Sequence, residues 1–112
     1  MQIFYKSKKD MVAFTQEIQG DKRWGLPLAK RIRQRIKEFE AALSLAEISH
    51  LPPLRCHILK GNRSGQYAVD VSQSKRLIFE PANLPDKLPD GGNDLHSITT
   101  ITILEVIDYH GE

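Results

Sequence analysis

His57, Lys60, Arg63, Arg76, Asp108, Tyr109 and His110 are the residues of this chain whose types together could act on a phosphate. Cleavage of RNA through its own 2′-hydroxyl needs four things. A base removes the hydroxyl proton, an acid protonates the departing 5′-oxygen, cations stabilise the crowded phosphate, and something holds the nucleotides in line. Histidine titrates near neutral pH and serves as acid or base. Arginine and lysine stabilise charge developing on phosphate. Tyrosine stacks on a base or moves a proton. From the residues alone two readings stay open for His57 and His110: an acid–base pair, or structural and surface histidines. Metal and covalent chemistry find less support. Cys56 and His57 are adjacent and would point to opposite faces of a strand. No Cys/His pair has zinc-site spacing, and neither a glycine-rich phosphate loop nor a nucleophile elbow is present. Cys56 reads as a buried apolar residue, and no metal or cofactor is expected.

These side chains need a sheet to gather them. From Arg55 to Glu80 the chain reads as strand, glycine-bounded turn, strand, tight turn, strand. Tyr67, Val69 and Val71 alternate with Ala68, Asp70 and Ser72, the period-two pattern of a half-buried strand. Gly61 and Gly65 supply the freedom of the first turn. The polar residues left on this sheet are His57, Lys60, Arg63, Lys75 and Arg76, a basic face suited to phosphate. From Ile98 a last strand places Ile101, Ile103, Glu105, Ile107 and Tyr109 on one face and Leu104, Val106, Asp108 and His110 on the other, which predicts a central strand covered on both sides. Residues 81–97, with three prolines, two glycines and three aspartates, read as a long loop. Ile3–Tyr5 reads as an edge strand.

The helices come first. Ser7 caps one starting near Lys8, with Met11, Phe14 and Ile18 at helical spacing and Gly20 at its end. Trp24 reads as a plug between helices. Leu28, Ile32, Ile36, Phe39, Leu43 and Ala46 form one apolar stripe on a second helix that Pro27 opens. Lys30, Arg31, Arg33, Arg35 and Lys37 crowd the first half of that helix, where the helix dipole disfavours cations. A solvated face and a contact with nucleic acid or an acidic partner both account for them. Of the 112 residues, 40% are apolar and 27% charged, the balance of a globular domain. Net charge is +2, but residues 1–80 carry +7 and residues 81–112 carry −5. No apolar run approaches a membrane span, the N-terminus lacks a secretory layout, and one cysteine cannot form an internal disulfide, so a single cytoplasmic domain over residues 1–112 is expected.

His57-Ile58-Leu59-Lys60-Gly61, Gly65-Gln66-Tyr67, Arg76-Leu77-Ile78-Phe79 and the terminal Asp108-Tyr109-His110 resemble the motifs of the HigB branch of the RelE/ParE toxin superfamily. The helix from Leu28 to Ile48 is similar to that family's second helix. Lys75 stands where the family usually carries an aromatic or polar residue before the arginine. The resemblance implies an α+β fold: two N-terminal helices packed on a twisted antiparallel sheet of four to five strands. It also implies a type II toxin, a ribosome-dependent, metal-independent mRNA endoribonuclease silenced by a helix-turn-helix antitoxin of HigA type. The implied partners are that antitoxin, the ribosome and mRNA, with operator DNA reached only through the antitoxin. Catalytic or substrate roles pass to His57, Lys60, Arg76, Asp108, Tyr109 and His110, and Arg63 joins Lys60 and Arg76 as a phosphate contact. Two alternatives share the fold or the surface: a ParE-like inhibitor of DNA gyrase, and a non-catalytic domain binding antitoxin or nucleic acid.

Overall fold

The computed structural model describes residues 1–109 and shows an α+β fold. Strand β1 (Gln2–Tyr5) leads into three helices, α1 (Lys8–Thr15), α2 (Glu17–Trp24) and α3 (Leu26–Ala41). Strands β2 (His57–Ile58), β3 (Tyr67–Asp70), β4 (Lys75–Pro81) and β5 (Thr100–Asp108) follow. The sheet order is β1-β5-β4-β3-β2. β1 runs parallel to β5 and every other pair is antiparallel, so the sheet is mixed where a purely antiparallel one was expected. The chain from β1 to its parallel partner β5 passes through all three helices and β2–β4, far longer than the crossover a parallel pair requires.

The helical layer also differs from the two helices expected. Ser7 does cap α1, its hydroxyl accepting from the Asp10 amide at 3.1 Å. The chain then breaks at Gln16, whose extended backbone separates α1 from α2. Gly20 lies inside α2 and not at a helix end. A Cβ there would stand 2.8 Å from the Ala13 carbonyl, so glycine is what lets α2 close on α1. Trp24 packs against the core, its ring 4.9 Å from that of Phe14. On α3 the stripe holds through Ile32, Ile36 and Phe39, all buried. It then fails, because the helix ends at Ala41 and Ala42 is extended. Leu43 is 79% exposed, and Leu45, in a 3-10 turn, fills the core in its place with its amide donating to the Ile98 carbonyl at 2.9 Å.

The core lies between the helices and one face of the sheet, where Phe14, Ile32 and Phe39 meet Leu77, Phe79 and Ile103. β5 pairs Phe79 with Ile103 but Ile78 with Glu105, so Leu104 is an extra residue in a β-bulge. The strict alternation expected along β5 therefore breaks at that point. Register puts Ile101, Ile103 and Val106 toward the helices, and Glu105, Ile107 and Tyr109 on the opposite face. Residues 81–97 are more ordered than their composition suggests. The Asn83 side-chain oxygen accepts from the Thr99 and Thr100 amides, both at 3.1 Å, and its nitrogen donates to the Ser97 carbonyl at 2.8 Å. Asn93 reaches back to donate to the Tyr67 hydroxyl at 3.1 Å.

Burial pushes the Cys56 thiol up from 9.0 to about 12 and, with the Glu40 carboxylate adding to it, the Tyr5 phenol up from 10.0 to about 12. Both folded values lie above the ordinary ones, so the unfolded chain releases protons first. Their contribution to stability is fully present below about pH 9 and is lost as pH rises toward about 12. Urea unfolding at about pH 8 and about pH 11 should show a lower midpoint at the higher pH, and Cys56→Ala should reduce the difference. An unchanged midpoint would show that the two groups titrate alike folded and unfolded.

Candidate phosphate-binding cleft

On the face of the sheet away from the helices, Ala68 and Ile78 are fully buried, and Leu59, Lys60 and Arg63 of segment 59–66 gather beside Ile78. Two positive-φ glycines make this possible: Gly61 (64°) and Gly65 (89°) turn the chain at each end of a 3-10 turn, where a side chain would strain the backbone. Arg63, on that turn, anchors the segment. It donates to Gln66 Oε1 at 3.0 Å and to Glu105 Oε2 at 2.9 Å, reaching β5.

The result is a cleft of about 240 Å³. Leu59, Ile78 and Ile107 give it an apolar floor, and Lys60, Arg63 and Arg76 give it charge. Tyr109 and Asp108 close one end. Lys60 makes no ion pair among the described residues. The Arg76 guanidinium carbon lies 3.2 Å from the centre of the Tyr109 ring, a cation–π contact. The Tyr109 amide donates to the Ser74 carbonyl at 2.6 Å, which fixes the strand end beneath the ring. The Arg76 side chain is only 13% exposed. Its Nε is buried without a hydrogen-bond partner among the described residues and lies 3.8 Å from the Asp70 carboxylate. A cation so held is rigid and incompletely neutralised, which suits it to an incoming anion.

The sequence candidates divide. Lys60, Arg63, Arg76, Asp108 and Tyr109 all line the cleft. Asp108 also pairs with Lys75, its cross-strand neighbour. His57 does not line it. It sits on β2, at the edge of the sheet, opposite Ala68. Its Nδ1 donates to the Arg55 carbonyl at 2.6 Å. A carbonyl can only accept, so the neutral ring keeps its lone pair on Nε2. His110 lies outside the described residues. Asp70, which the sequence marks only as a strand position, is the hub of the local charges. Its carboxylate takes Arg55 Nε at 2.8 Å and faces Arg76, while its carbonyl accepts from Arg35 Nε at 2.9 Å. The signal available was an acidic residue on the basic face of a strand. Among the described residues no three His, Cys, Asp or Glu side chains gather as metal ligands, and no helix is long and apolar enough to cross a membrane.

No protein-family model matches the sequence, and no curated protein does. Solved structures do match in fold. A YoeB/ParE toxin from Agrobacterium tumefaciens superposes with a TM-score of 0.59 at 10% identity, over 98% of this chain and 100% of that one. A chain of the YoeB–YefM complex from Staphylococcus aureus gives 0.56 at 14% identity, over 98% of this chain and 97% of that one. A YoeB dimer from the same organism gives 0.52 at 16% identity, with the same coverage. The chain thus has the fold of the YoeB/ParE toxins.

Proposed function

We propose that this protein is the toxin of a type II toxin–antitoxin pair and cuts mRNA on the ribosome, as the HigB-like motifs imply. The observation that carries the reading is the cleft, in which Lys60, Arg63 and Arg76 converge beside Tyr109 on a YoeB/ParE-type fold. In the proposed reaction the 2′-oxygen attacks phosphorus as its proton passes to a base. The bond from phosphorus to the 5′-oxygen breaks, and an acid protonates the leaving oxygen. The products are a 2′,3′-cyclic phosphate and a 5′-hydroxyl. Arg76 and Lys60 stabilise the charge on the non-bridging oxygens. Arg63 fixes segment 59–66 and adds to the field. Tyr109 places a base or shuttles a proton, and Asp108 orients the strand end through Lys75. His110, next in sequence to Tyr109, is one acid–base candidate. His57, on the edge strand β2 and outside the cleft lining, is the other candidate, with Nε2 as its accepting nitrogen. An antitoxin of HigA type is the proposed partner, and the cytoplasm the proposed site of action.

Little in so small a cleft holds a flexible single strand in line, and orientation is worth several kcal/mol of a barrier. A ribosome holding the mRNA supplies it. Purified protein should therefore produce discrete coding-region cuts, ending in cyclic phosphate, in a translating extract and only slow cleavage of naked mRNA. His110→Ala should abolish the cuts. Efficient cutting of naked RNA would make the protein a free-standing ribonuclease. Intact mRNA together with blocked supercoiling by gyrase would place it with the gyrase inhibitors.

A further inference from the structure

The arginines in the first half of α3 are not explained by the cleft. Arg33 pairs with Asp21 at 3.2 Å, and that contact accounts for it. Arg35 is only 3% exposed, yet it is a cation on a helix face that packs on the sheet. It ties α3 to the sheet by donating to the Asp70 carbonyl at 2.9 Å, and it pairs along its own helix with Glu38 at 3.0 Å. Arg31, one turn earlier, is exposed and has no acidic partner among the described residues. It stands over two hollows of about 570 and 230 Å³ that share Arg31, Val71, Ser72 and Gln73 and so form one groove between α3 and the β3–β4 turn. Arg55 lines one end of this groove and Lys75 the other.

Two features connect the groove to the cleft. Asp70 holds Arg55 on the groove side and faces Arg76 on the cleft side, so one carboxylate sits between the two arginines. Lys75, at the far end, pairs with Asp108, which lines the cleft. The groove is therefore a second cationic seat joined to the first through Asp70, on the same end of the sheet.

We propose that this groove binds the phosphate backbone of the single-stranded RNA whose reacting phosphate lies in the cleft, with Arg31 and Arg55 contacting phosphates flanking the cut. The proposal rests on the ribonuclease reading. The groove is assigned to RNA because its Arg55 shares the Asp70 carboxylate with Arg76 of the phosphate cleft. It also gives the cations at the dipole-disfavoured end of α3 a use that helix stability does not.

The test measures binding alone. A fluorescent 2′-O-methyl oligoribonucleotide, which cannot be cut because its 2′-oxygens are blocked, is titrated with the protein over a range of salt concentrations. Each phosphate contact removed should lower the slope of log K against log salt by about 0.7 and weaken binding roughly tenfold at low salt. Arg31→Ala, at an exposed position, should show this without loss of fold, and Arg31→Lys should restore most of the slope. Arg55→Ala should add a second, similar loss if it folds. A slope unchanged in Arg31→Ala overturns the proposal. So does a variant that keeps its RNA slope but no longer binds a polyglutamate peptide that the wild type binds, since the groove would then be a seat for an acidic protein segment. Cleavage in the translating extract separates the two readings. An Arg31-dependent slope without ribosomal cleavage leaves the groove and removes the enzyme. Cleavage with an Arg31-independent slope leaves the enzyme and removes the groove.

Discussion

Arg76→Ala should reduce cleavage in ribosome complexes by about 10²–10³-fold while leaving the fold intact, the loss expected when one preorganised donor to a developing oxyanion is removed. The geometry explains why the effect should be large. Arg76 is fixed from two sides, by the Tyr109 ring at 3.2 Å and by the Asp70 carboxylate at 3.8 Å. It is mostly withdrawn from water, where its charge is least screened. Removing it should cost little stability, because Asp70 keeps Arg55 at 2.8 Å and is not left as an unpaired charge. Arg76→Lys should recover only part of the rate. An ammonium keeps the charge but cannot lie flat on the tyrosine ring or present a planar fork to phosphate. Single-turnover cleavage with matched thermal melts checks this. A rate within threefold of wild type for a well-folded Arg76→Ala would mean that the cleft does not act on phosphate.

How much of this was legible in the sequence depends on how local each signal is. The strand at Tyr67 and the turn glycines around segment 59–66 are local signals and both appear, although β3 ends at Asp70 and Ala68 on its second face is buried instead of exposed. Lys60, Arg63, Arg76, Asp108 and Tyr109 line one cleft, whereas His57, three residues from Lys60, stays on the edge strand outside it. The residues that misled did so through tertiary choices. Leu43 continues the helical stripe in sequence, yet the hydrogen bond from the Leu45 amide to the Ile98 carbonyl draws Leu45 into the core instead. Gly20 looks like a helix end because glycine usually marks one, but here it serves a close contact that only the folded pair of helices creates. The bulge at Leu104 carries no marker residue, and a single inserted position changes which side chains face the cleft. The role of Asp70 depends on Arg35, Arg55 and Arg76 arriving from three elements, which no spacing along the chain reveals.

The largest loss of stability should come from Phe79→Ala, at about 3–5 kcal/mol, the usual result of emptying a fully buried aromatic site. Phe79 has no exposed surface. Its ring lies 4.9 Å from that of Phe39 on α3 and 5.8 Å from that of Tyr67 on β3, so it joins the helical layer to the sheet. It also faces Ile103 at the last regular pair before the bulge. Neither ring neighbour can move into the space without leaving its own element, so the cavity should persist. For a domain whose total stability is roughly 5–15 kcal/mol, the loss is a large fraction of the whole. Urea unfolding should show a midpoint lowered by about 2 M, given slopes of about 1–3 kcal/mol/M. Leu84→Ala, at a leucine 91% exposed, should stay within about 0.5 kcal/mol of wild type. The neighbouring Ile78 faces the cleft and not the helices, so Phe79→Ala protein that is still folded at low temperature should keep its RNA affinity. A midpoint shift below about 0.5 M would show that the helices and the sheet are held together elsewhere, and a parallel loss of RNA binding would show that the two faces of β4 are not independent.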